Sequence, residues 1–334
     1  MYSSIYITEI SKSDIDSIVD ITKDIFEFSS FRVDKKVLDI VGKENVHKVS
    51  LGIIENSTST FVAVSGNKVL GFLSWVFDGN ISGIIFRDYY RIKLFGVAKE
   101  HQRKGIGSEL LKYFIGYVHR HKGHIIEVST DVNNIPAIKI YSKFGFFYTS
   151  SFSTLRLFKE DFRSFYNDEF EVIKVNYDRE LGDFLKLRSR NNEFVGYPIQ
   201  CVFDDRVEDR LKEEILRKYH KSIETNINLF RVYLAYDRVV PIGYGVIKED
   251  FSLSSLLSKI ANKYICVYRI FDLFVDKRYR GKGIAKSILS RMIEEIPKPY
   301  DFVEVIIPSH NYSAIRVFTD IGFGVSHVML NYAR

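Results

Sequence analysis

The stretch IKLFGVAKEHQRKGIGSELLKYF at residues 92–114 reappears, with closely similar spacing of glycines and basic residues, as IFDLFVDKRYRGKGIAKSILSRM at residues 270–292. Each copy continues into a second shared block, HIIEVSTDVNNIPAIKIYSKFGF at 124–146 and DFVEVIIPSHNYSAIRVFTDIGF at 301–323. The period is about half of the 334-residue chain, which is much longer than the ~20–50 residues of solenoid repeats. It therefore indicates a duplicated domain.

Both copies predict the same order of elements around these blocks. A helix-rich entry is followed by a hairpin, a strand, a helix, a strand, a helix and a final strand. In the first copy, Gly66 and Asn67 form the turn of the hairpin within TFVAVSGNKVLGFLSWVF, and Gly145 ends the last helix. Strands that alternate with helices after a hairpin predict an α/β protein of the α+β type, in which helices cover a mixed sheet.

The two copies divide the chain into predicted domains at 1–160 and 161–334. The junction KEDFRSFYNDEF at 159–170 carries several aromatic residues, whereas a free linker is rich in Gly and Ser. We therefore expect a docked connector. We also expect the halves to pack as an intramolecular pseudo-dimer, because a duplicated fold commonly preserves the relation that its ancestor had in a symmetric dimer.

Composition narrows the class of protein. Hydrophobic residues are 46% of the chain and charged residues 27%, as in soluble globular proteins. No run approaches the ~18 apolar residues of a membrane span, and the first residues lack the basic start and apolar run of a secretory signal. We therefore expect no membrane partner. Cys201 and Cys266 are too few for a disulfide framework, so we expect the protein in a reducing cytoplasm.

The net charge of the chain does not by itself decide what kind of ligand it binds. The net charge of +6 fits an anionic ligand and weak nucleic-acid affinity equally well. Because no reader motif and no interleaved aromatic residues accompany the basic residues, we expect no nucleic-acid partner. His119, His121 and His124 do not have the spacing of zinc ligands, and we expect no metal.

Each copy has a glycine loop between a strand and a helix, at 102–107 and at 280–285. Glycines let the backbone approach a ligand closely, and the amino end of a helix favours an anion. Arg103 and Lys104 add positive charge in the first loop. The arrangement predicts a phosphate-binding loop in each copy, although neither loop is a Walker A or a GxGxxG dinucleotide motif.

The two blocks together resemble the GNAT superfamily of acyl-CoA-dependent N-acyltransferases. The resemblance lies in Q/R-x-x-G-x-G/A after an apolar strand, followed by a strand and N-x-x-A-I-x-x-Y-x-x-x-G-F, and it covers about 92–146 and 270–323. It implies two tandem GNAT-like domains, each a mixed, mostly antiparallel sheet flanked by helices. It also implies acetyl-CoA as acyl donor and a small-molecule or peptide amine as acceptor, which would attack directly in a ternary complex.

The resemblance further implies that each copy holds coenzyme A through its loop, the preceding strand and an asparagine. The implied coenzyme-binding residues are Phe95, Val97, Gln102, Arg103, Lys104, Gly105, Ile106, Gly107 and Asn134 in the first copy, and Leu273, Val275, Arg280, Gly281, Lys282, Gly283, Ile284, Ala285 and Asn311 in the second.

The catalytic residues implied by the resemblance are Tyr141 and Glu127. Tyr141 matches the usual general acid of the family, which protonates the departing thiolate, and Glu127 resembles the position of the base in some members. Phe318, the counterpart of Tyr141, has no proton to give, so we expect the N-terminal copy to be active. The alternative is an acyl-CoA-binding structural or regulatory protein in which one or both copies are not catalytic.

The acceptor cannot be read from the sequence. In this fold its contacts come from the entry helices and the early hairpin, here about 24–60 and 188–225, and these segments carry no recognisable motif. Amino sugars, polyamines, antibiotics and peptide amines all stay open.

Overall fold

The computed structural model describes residues 5–28, 35–42, 45–77, 89–123, 125–190, 225–297 and 299–334. His124 and most of the predicted acceptor segment at 188–225 lie outside the described residues. The chain divides into two compact units, one of Met1–Ser151 with His327–Arg334 and the other of Phe152–Ser326.

The described helices and strands include the predicted ones in the predicted order. Three further elements were not predicted: a strand before each entry, at Tyr6–Glu9 and Glu171–Lys174, and a helix at Phe251–Ala261 between the second hairpin and the strand that follows it. In the described residues, the strands are β1 Tyr6–Glu9, β2 Ser59–Ser65, β3 Lys68–Phe77, β4 Tyr89–Val97, β5 Ile125–Asp131, β6 Phe147–Phe158, β7 Glu171–Lys174, β8 Arg231–Asp237, β9 Val240–Glu249, β10 Val267–Val275, β11 Phe302–Pro308 and β12 Gly324–Ala333. The α-helices of the same residues are α1 Ile15–Phe28, α2 Lys35–Val41, α3 Val46–Glu55, α4 Ile106–Arg120, α5 Ile135–Lys143, α6 Leu181–Arg188, α7 Phe251–Ala261, α8 Ile284–Glu294 and α9 Tyr312–Asp320.

The sheet of the first unit runs in the order β1, β2, β3, β4, β5, β12. Its pairs are antiparallel, except for the parallel pair of β4 and β5. The edge next to β5 is filled by β12, which comes from the end of the second copy, and Tyr332 lies opposite Val128 in this pair. The sheet of the first unit is therefore completed by a strand of the second repeat.

The sheet of the second unit has the same design and the converse exchange. Its order is β6, β11, β10, β9, β8, β7, with one parallel pair between β10 and β11. Here β6, the last strand of the first copy, pairs with β11, and Leu155 lies opposite Val305. The last strands are thus exchanged between the copies, so the compact units are divided differently from the predicted domains at 1–160 and 161–334. The mixed, mostly antiparallel sheets flanked by helices confirm the predicted fold class.

Two hydrophobic clusters lie on opposite faces of the first sheet. Because side chains alternate along β2, Phe61 packs with α4 whereas Val62 packs with α1. Leu110 and Phe114 of α4 are fully buried, and each contributes about 1.5–3 kcal/mol to folding on burial. This packing holds the amino end of α4 beside the end of β4.

Candidate functional site

The parallel strands β4 and β5 separate partway along their length. They pair from Tyr89 with Ile125 as far as Ile92 with Val128, while β5 continues to Asp131 opposite Met329 of β12. The pairing of β4 with β3 also shifts by one residue between Trp75 and Ser74, and a bulge of this kind bends a strand. The second half of β4 therefore diverges from β5 and opens a cleft.

The first glycine loop lies at the mouth of this cleft. Gly105 is the N-cap residue of α4 and has φ of 87°, in the left-handed region that glycine adopts without strain. A Cβ atom at this position would meet nothing within 4 Å, so the space in front of the helix is open. The first N–H groups of a helix have no partner within the helix, and they suit an anion at this place.

A cavity of about 570 Å³ joins the cleft to the loop. It brings together most of the predicted coenzyme-binding residues of the first copy, namely Phe95, Val97, Gln102, Arg103, Gly105, Ile106, Gly107 and Asn134. Lys104 is exposed beside them on the loop. The prediction did not include the other lining residues, which are Gly96, Lys99, His101, Ser108, Pro136, Ala137 and Ile140.

Some of these additional residues could have been found from spacing. Ala137 and Ile140 are three residues apart and therefore neighbours on the surface of α5, the helix that Asn134 caps. Nothing in the sequence indicates that His101 lines the cavity, because its burial, to 8% exposure, depends on the tertiary fold. Burial lowers the pKa of His101 below the usual value of imidazole, against the smaller opposing effect of Glu100.

The first residue of each loop anchors it to the preceding strand. Gln102 donates a hydrogen bond from Nε2 to the carbonyl oxygen of Val97 at 3.1 Å. In the second copy, Arg280 donates from Nε to the carbonyl oxygen of Val275 at 3.0 Å. A glutamine or arginine at this position therefore has a structural role in the turn besides any role in binding.

The asparagine of each copy caps the following helix. The side-chain oxygen of Asn134 accepts a hydrogen bond from the N–H of Ala137 at 3.3 Å, and Asn311 does the same with Ala314 at 3.1 Å. A cap of this kind stabilises a helix by about 0.5–2 kcal/mol. Asn134, Pro136 and Ala137 all line the cavity, so the amino end of α5 borders it.

Tyr141 is buried on the side of α5 that faces the core. Its side chain is 4% exposed, and its ring lies 6.3 Å from Phe95, 5.5 Å from Phe146 and 6.3 Å from Tyr332 between centroids. Burial raises the pKa of Tyr141 well above its usual value, so the hydroxyl keeps its proton. Tyr141 is not among the residues that line the cavity, but its neighbour Phe95 is.

Glu127 is held by its neighbours on β4. Its side chain is 1% exposed, the hydroxyl of Tyr89 donates a hydrogen bond to its Oε2, and Nε of Arg91 lies 3.9 Å from its Oε1. Arg91 is also its cross-strand partner. The carboxylate is thus placed by a hydroxyl and a guanidinium group rather than by solvent.

The counterpart Glu304 lies between two guanidinium groups. Nη2 of Arg156 is 2.9 Å from its Oε2, and Nη2 of Arg269 is 2.8 Å from its Oε1. Burial by itself would raise the pKa of Glu304, but the two positive charges outweigh it and hold the pKa below the usual value. Glu304 is therefore a carboxylate neutralised by arginines.

The second loop repeats the backbone of the first. Gly281 has φ of 81°, and Gly283, the N-cap residue of α8, has φ of 80°. Ile284 and Ala285 begin α8. Leu273 and Val275 lie on the part of β10 that extends beyond its pairing with β11, which ends at Arg269 and Glu304.

The comparisons with known proteins agree with this architecture. The sequence profile of the acetyltransferase (GNAT) family matches residues 19–146 and 201–323. The chain therefore belongs to the GNAT family of acetyltransferases, and the match in two regions makes it a tandem, two-domain member.

Similar solved structures cover the whole chain at low identity. A tandem GNAT protein from the clavulanic acid biosynthesis pathway has a TM-score of 0.50 at 12% identity, over 99% of this chain and 98% of that one. A GCN5-related N-acetyltransferase from Sphaerobacter thermophilus has a TM-score of 0.56 at 10% identity, over 99% and 95%. A glucosamine N-acetyltransferase region of a fungal multi-domain β-N-acetylglucosaminidase has 0.56 at 12%, over 99% and 38%. These likenesses support the fold.

No curated protein matches the sequence at a significant level. In the described part of the chain, none of the helices is long and apolar enough to cross a membrane. The same residues contain no group of three or more His, Cys, Asp or Glu side chains that could hold a metal ion. His124, the third member of the histidine group considered above, lies outside them.

Proposed function

We propose that the N-terminal copy binds acetyl-CoA and transfers its acetyl group to a primary amine of a small molecule or peptide in the cytoplasm. The observation that carries this proposal is the cavity of about 570 Å³ where β4 and β5 separate, with the glycine loop at its mouth. Its volume is within the ~300–1,000 Å³ of small-molecule sites. Family membership supports the reaction in general terms.

The residues of the cavity fit the parts of coenzyme A. The first N–H groups of α4, with Arg103 and Lys104 next to them, would receive the pyrophosphate. The backbone of Phe95 and Val97, on the unpaired side of β4, would pair with the pantetheine arm. The coenzyme supplies an acetyl thioester, which is activated toward an amine nucleophile.

Tyr141 is proposed as the general acid. A departing thiolate leaves more easily when a donor protonates the sulfur, and positioned acid catalysis of this kind contributes about 10²–10⁴-fold. The raised pKa keeps Tyr141 protonated at neutral pH. No cysteine lies in either motif, so a covalent acyl-enzyme has no obvious nucleophile, and we propose that the amine attacks the thioester directly in a ternary complex.

Glu127 is proposed to take part in removing the proton of the amine, because an ammonium group has no lone pair for attack. The hydroxyl of Tyr89, which donates a hydrogen bond to Oε2 of Glu127, would orient the carboxylate. Arg91, with Nε 3.9 Å from Oε1, places a positive charge beside that carboxylate.

An alternative role is favoured for the C-terminal copy alone. Phe318 replaces the acid there, is 3% exposed, and packs against Phe323 at 5.1 Å between ring centroids. A copy without a proton donor at this place suits an acyl-CoA-binding or purely structural domain.

Two measurements test the proposed function. Titration with acetyl-CoA should show binding that Gly105→Trp abolishes, because the indole would fill the open space where the pyrophosphate approaches. Gly66→Trp is the matched control and should bind normally, since Gly66 also has a positive φ and a Cβ atom there would meet nothing within 4 Å. Thiol release with a panel of amines should then reveal the acceptor. Absence of acetyl-CoA binding by the unaltered chain would overturn the proposal.

A further inference from the structure

The connector between the copies lies across α8 and the second glycine loop. We call residues 163–170 the strap. Within the second unit, the N–H of Phe165 donates a hydrogen bond to Oγ of Ser290 at 2.8 Å. The N–H of Asn167 donates to Oγ of Ser287 at 2.9 Å, and Nδ2 of Asn167 donates to the carbonyl oxygen of Lys282 at 2.9 Å. The strap is therefore fastened to the helix and to the loop itself.

The ring of Phe165 fills the space in front of Gly283. A Cβ atom built on Gly283 would lie 2.6 Å from Cε1 and 2.8 Å from Cζ of this ring. At Gly105, the matching residue of the first copy, a Cβ atom would meet nothing within 4 Å. Both glycines are N-cap residues with the same left-handed backbone. The difference between the two loops therefore comes from the strap.

Two basic residues, Lys282 of the second loop and Lys286 of α8, face aromatic rings. Nζ of Lys286 lies 4.4 Å from the ring centroid of Phe165. Nζ of Lys282 lies 5.9 Å from the centroid of Phe170 and 5.4 Å from that of Tyr279. Cation–π contacts at these distances are attractive, so the positive charges that would attract a phosphate are directed at the rings of the strap and of Tyr279.

The surface of α8 is adapted to the strap. Ser287 and Ser290 are buried, at 1% and 0% exposure. The corresponding positions of α4 are Glu109 and Lys112, which are both exposed. Small hydroxyl side chains let the strap approach the helix and accept its backbone hydrogen bonds, which a glutamate and a lysine would not do in the same space.

We propose that the strap occupies the phosphate site of the C-terminal copy, so that each chain binds one coenzyme A, in its N-terminal copy. The proposal rests on the proposed coenzyme binding of the first loop. A pyrophosphate must come within about 3 Å of the N–H groups at the start of a helix. Phe165 and Asn167 stand in that approach at α8. The C-terminal copy then contributes its last strand, β12, to the sheet of the first unit instead of providing a second active site.

Calorimetric titration of the full chain with coenzyme A tests the strap. The unaltered chain should bind one coenzyme, and Gly105→Trp should bind none. In the Gly105→Trp background, the additional changes Phe165→Ala and Asn167→Ala should open the second loop and create one site. A further Lys282→Glu should weaken that new site at least tenfold, which would locate it at 280–285.

Each result decides between the possibilities. Two coenzyme sites in the unaltered chain, or one site remaining after Gly105→Trp, would contradict the proposal that the strap occupies the second phosphate site. The proposal would also be contradicted if the chain with Phe165→Ala and Asn167→Ala is folded but gains no coenzyme site. Thermal unfolding of each variant establishes whether it is folded. Phe165→Ser alone is a milder change, because Phe165 is 36% exposed. In the Gly105→Trp background it should likewise create one coenzyme site. Complete absence of binding by the unaltered chain would instead overturn the proposed function.

Discussion

The loop at 102–107 and the loop at 280–285 have the same backbone and different surroundings. Gly105 and Gly283 both cap a helix in the left-handed region, and Gln102 and Arg280 both bond to the carbonyl oxygen at the end of the preceding strand. Yet the first loop borders a cavity, whereas Phe165 of the connector lies against Gly283 in the second. The same glycine motif thus specifies the same turn in both copies, while the segments packed around the turn differ.

The two copies also differ at a buried position next to the cleft. Leu94 of β4 packs in an apolar cluster with α1. Its counterpart Asp272 is 3% exposed, accepts a hydrogen bond from the hydroxyl of Tyr244 at 2.8 Å, and lies 3.7 Å from Nε of Arg188. The second copy therefore has a buried ion pair at the position where the first copy has an apolar leucine side chain. Such pairs commonly cost more in desolvation than their attraction returns.

The largest expected effect distinguishes the roles of the two exchanged strands, β6 and β12. Tyr332 of β12 and Leu155 of β6 occupy equivalent positions opposite Val128 and Val305, and both are buried. Tyr332→Ala and Leu155→Ala should each lower the free energy of unfolding by about 3–5 kcal/mol, as large-to-small core changes do. Only Tyr332→Ala should also lower kcat, because Tyr332 packs against Tyr141.

Tyr332→Phe is the control, since it keeps the ring and should restore turnover. Chemical unfolding and steady-state kinetics measure the two effects. Equal losses of kcat in Tyr332→Ala and Leu155→Ala would mean that the exchanged strand acts on the N-terminal site only through general stability.

The next effect concerns the pH dependence of stability at Asp272. Burial raises its pKa to about 6, against the smaller effects of Tyr244 and Arg188. Because the folded chain holds this proton more tightly than the unfolded chain, the contribution of Asp272 is fully present below about pH 4. It is lost as the pH rises to about 6, on the order of 3 kcal/mol in all.

Urea unfolding at a series of pH values checks this expectation. The stability of the unaltered chain relative to Asp272→Asn should fall between pH 4 and pH 6 and then stay level. A difference that does not vary with pH would show that Asp272 has the same pKa in the folded and unfolded chain.

The third expected effect concerns the proposed proton donor Tyr141, whose counterpart in the second copy is Phe318. Tyr141→Phe should lower kcat on the order of 10²-fold, or about 2.7 kcal/mol of barrier. Its affinity for coenzyme should hardly change, because the ring still packs. Phe318→Tyr should leave the turnover as it is. Full turnover by Tyr141→Phe, measured as thiol release, would remove Tyr141 from the mechanism.

The smallest effect concerns the two buried glutamates. Glu127→Gln should lower kcat about tenfold, because the proposed proton acceptor is lost. Glu304→Gln should leave kcat unchanged while lowering stability, since it leaves Arg156 and Arg269 without their shared carboxylate. An unchanged kcat in both variants, measured as thiol release, would assign Glu127 the same structural role as Glu304.

Much of the first site could be predicted from local sequence. The strand, glycine loop and helix of each copy are neighbours in the chain, so residues such as Arg103 and Gly105 come together through a few backbone angles. The burial of His101 and the meeting of this loop with the amino end of α5 in one cavity come about only because β4, α4 and α5 pack together. Both depend on distances between elements, which neither hydrophobic periodicity nor a motif encodes.

The amino-acid sequence by itself determined the duplication, the GNAT family, the mixed sheets flanked by helices and the backbone of both loops. These properties follow from local periodicity, turn residues and motif spacing, and the structure and comparisons confirm the family and the fold. Only the tertiary structure decided that β6 and β12 exchange sheets and that Phe165 lies against Gly283. The physical reason is that any strand offers the same backbone donors and acceptors, and any aromatic side chain can fill an apolar gap. The partner is therefore chosen by packing between residues that are far apart in the chain.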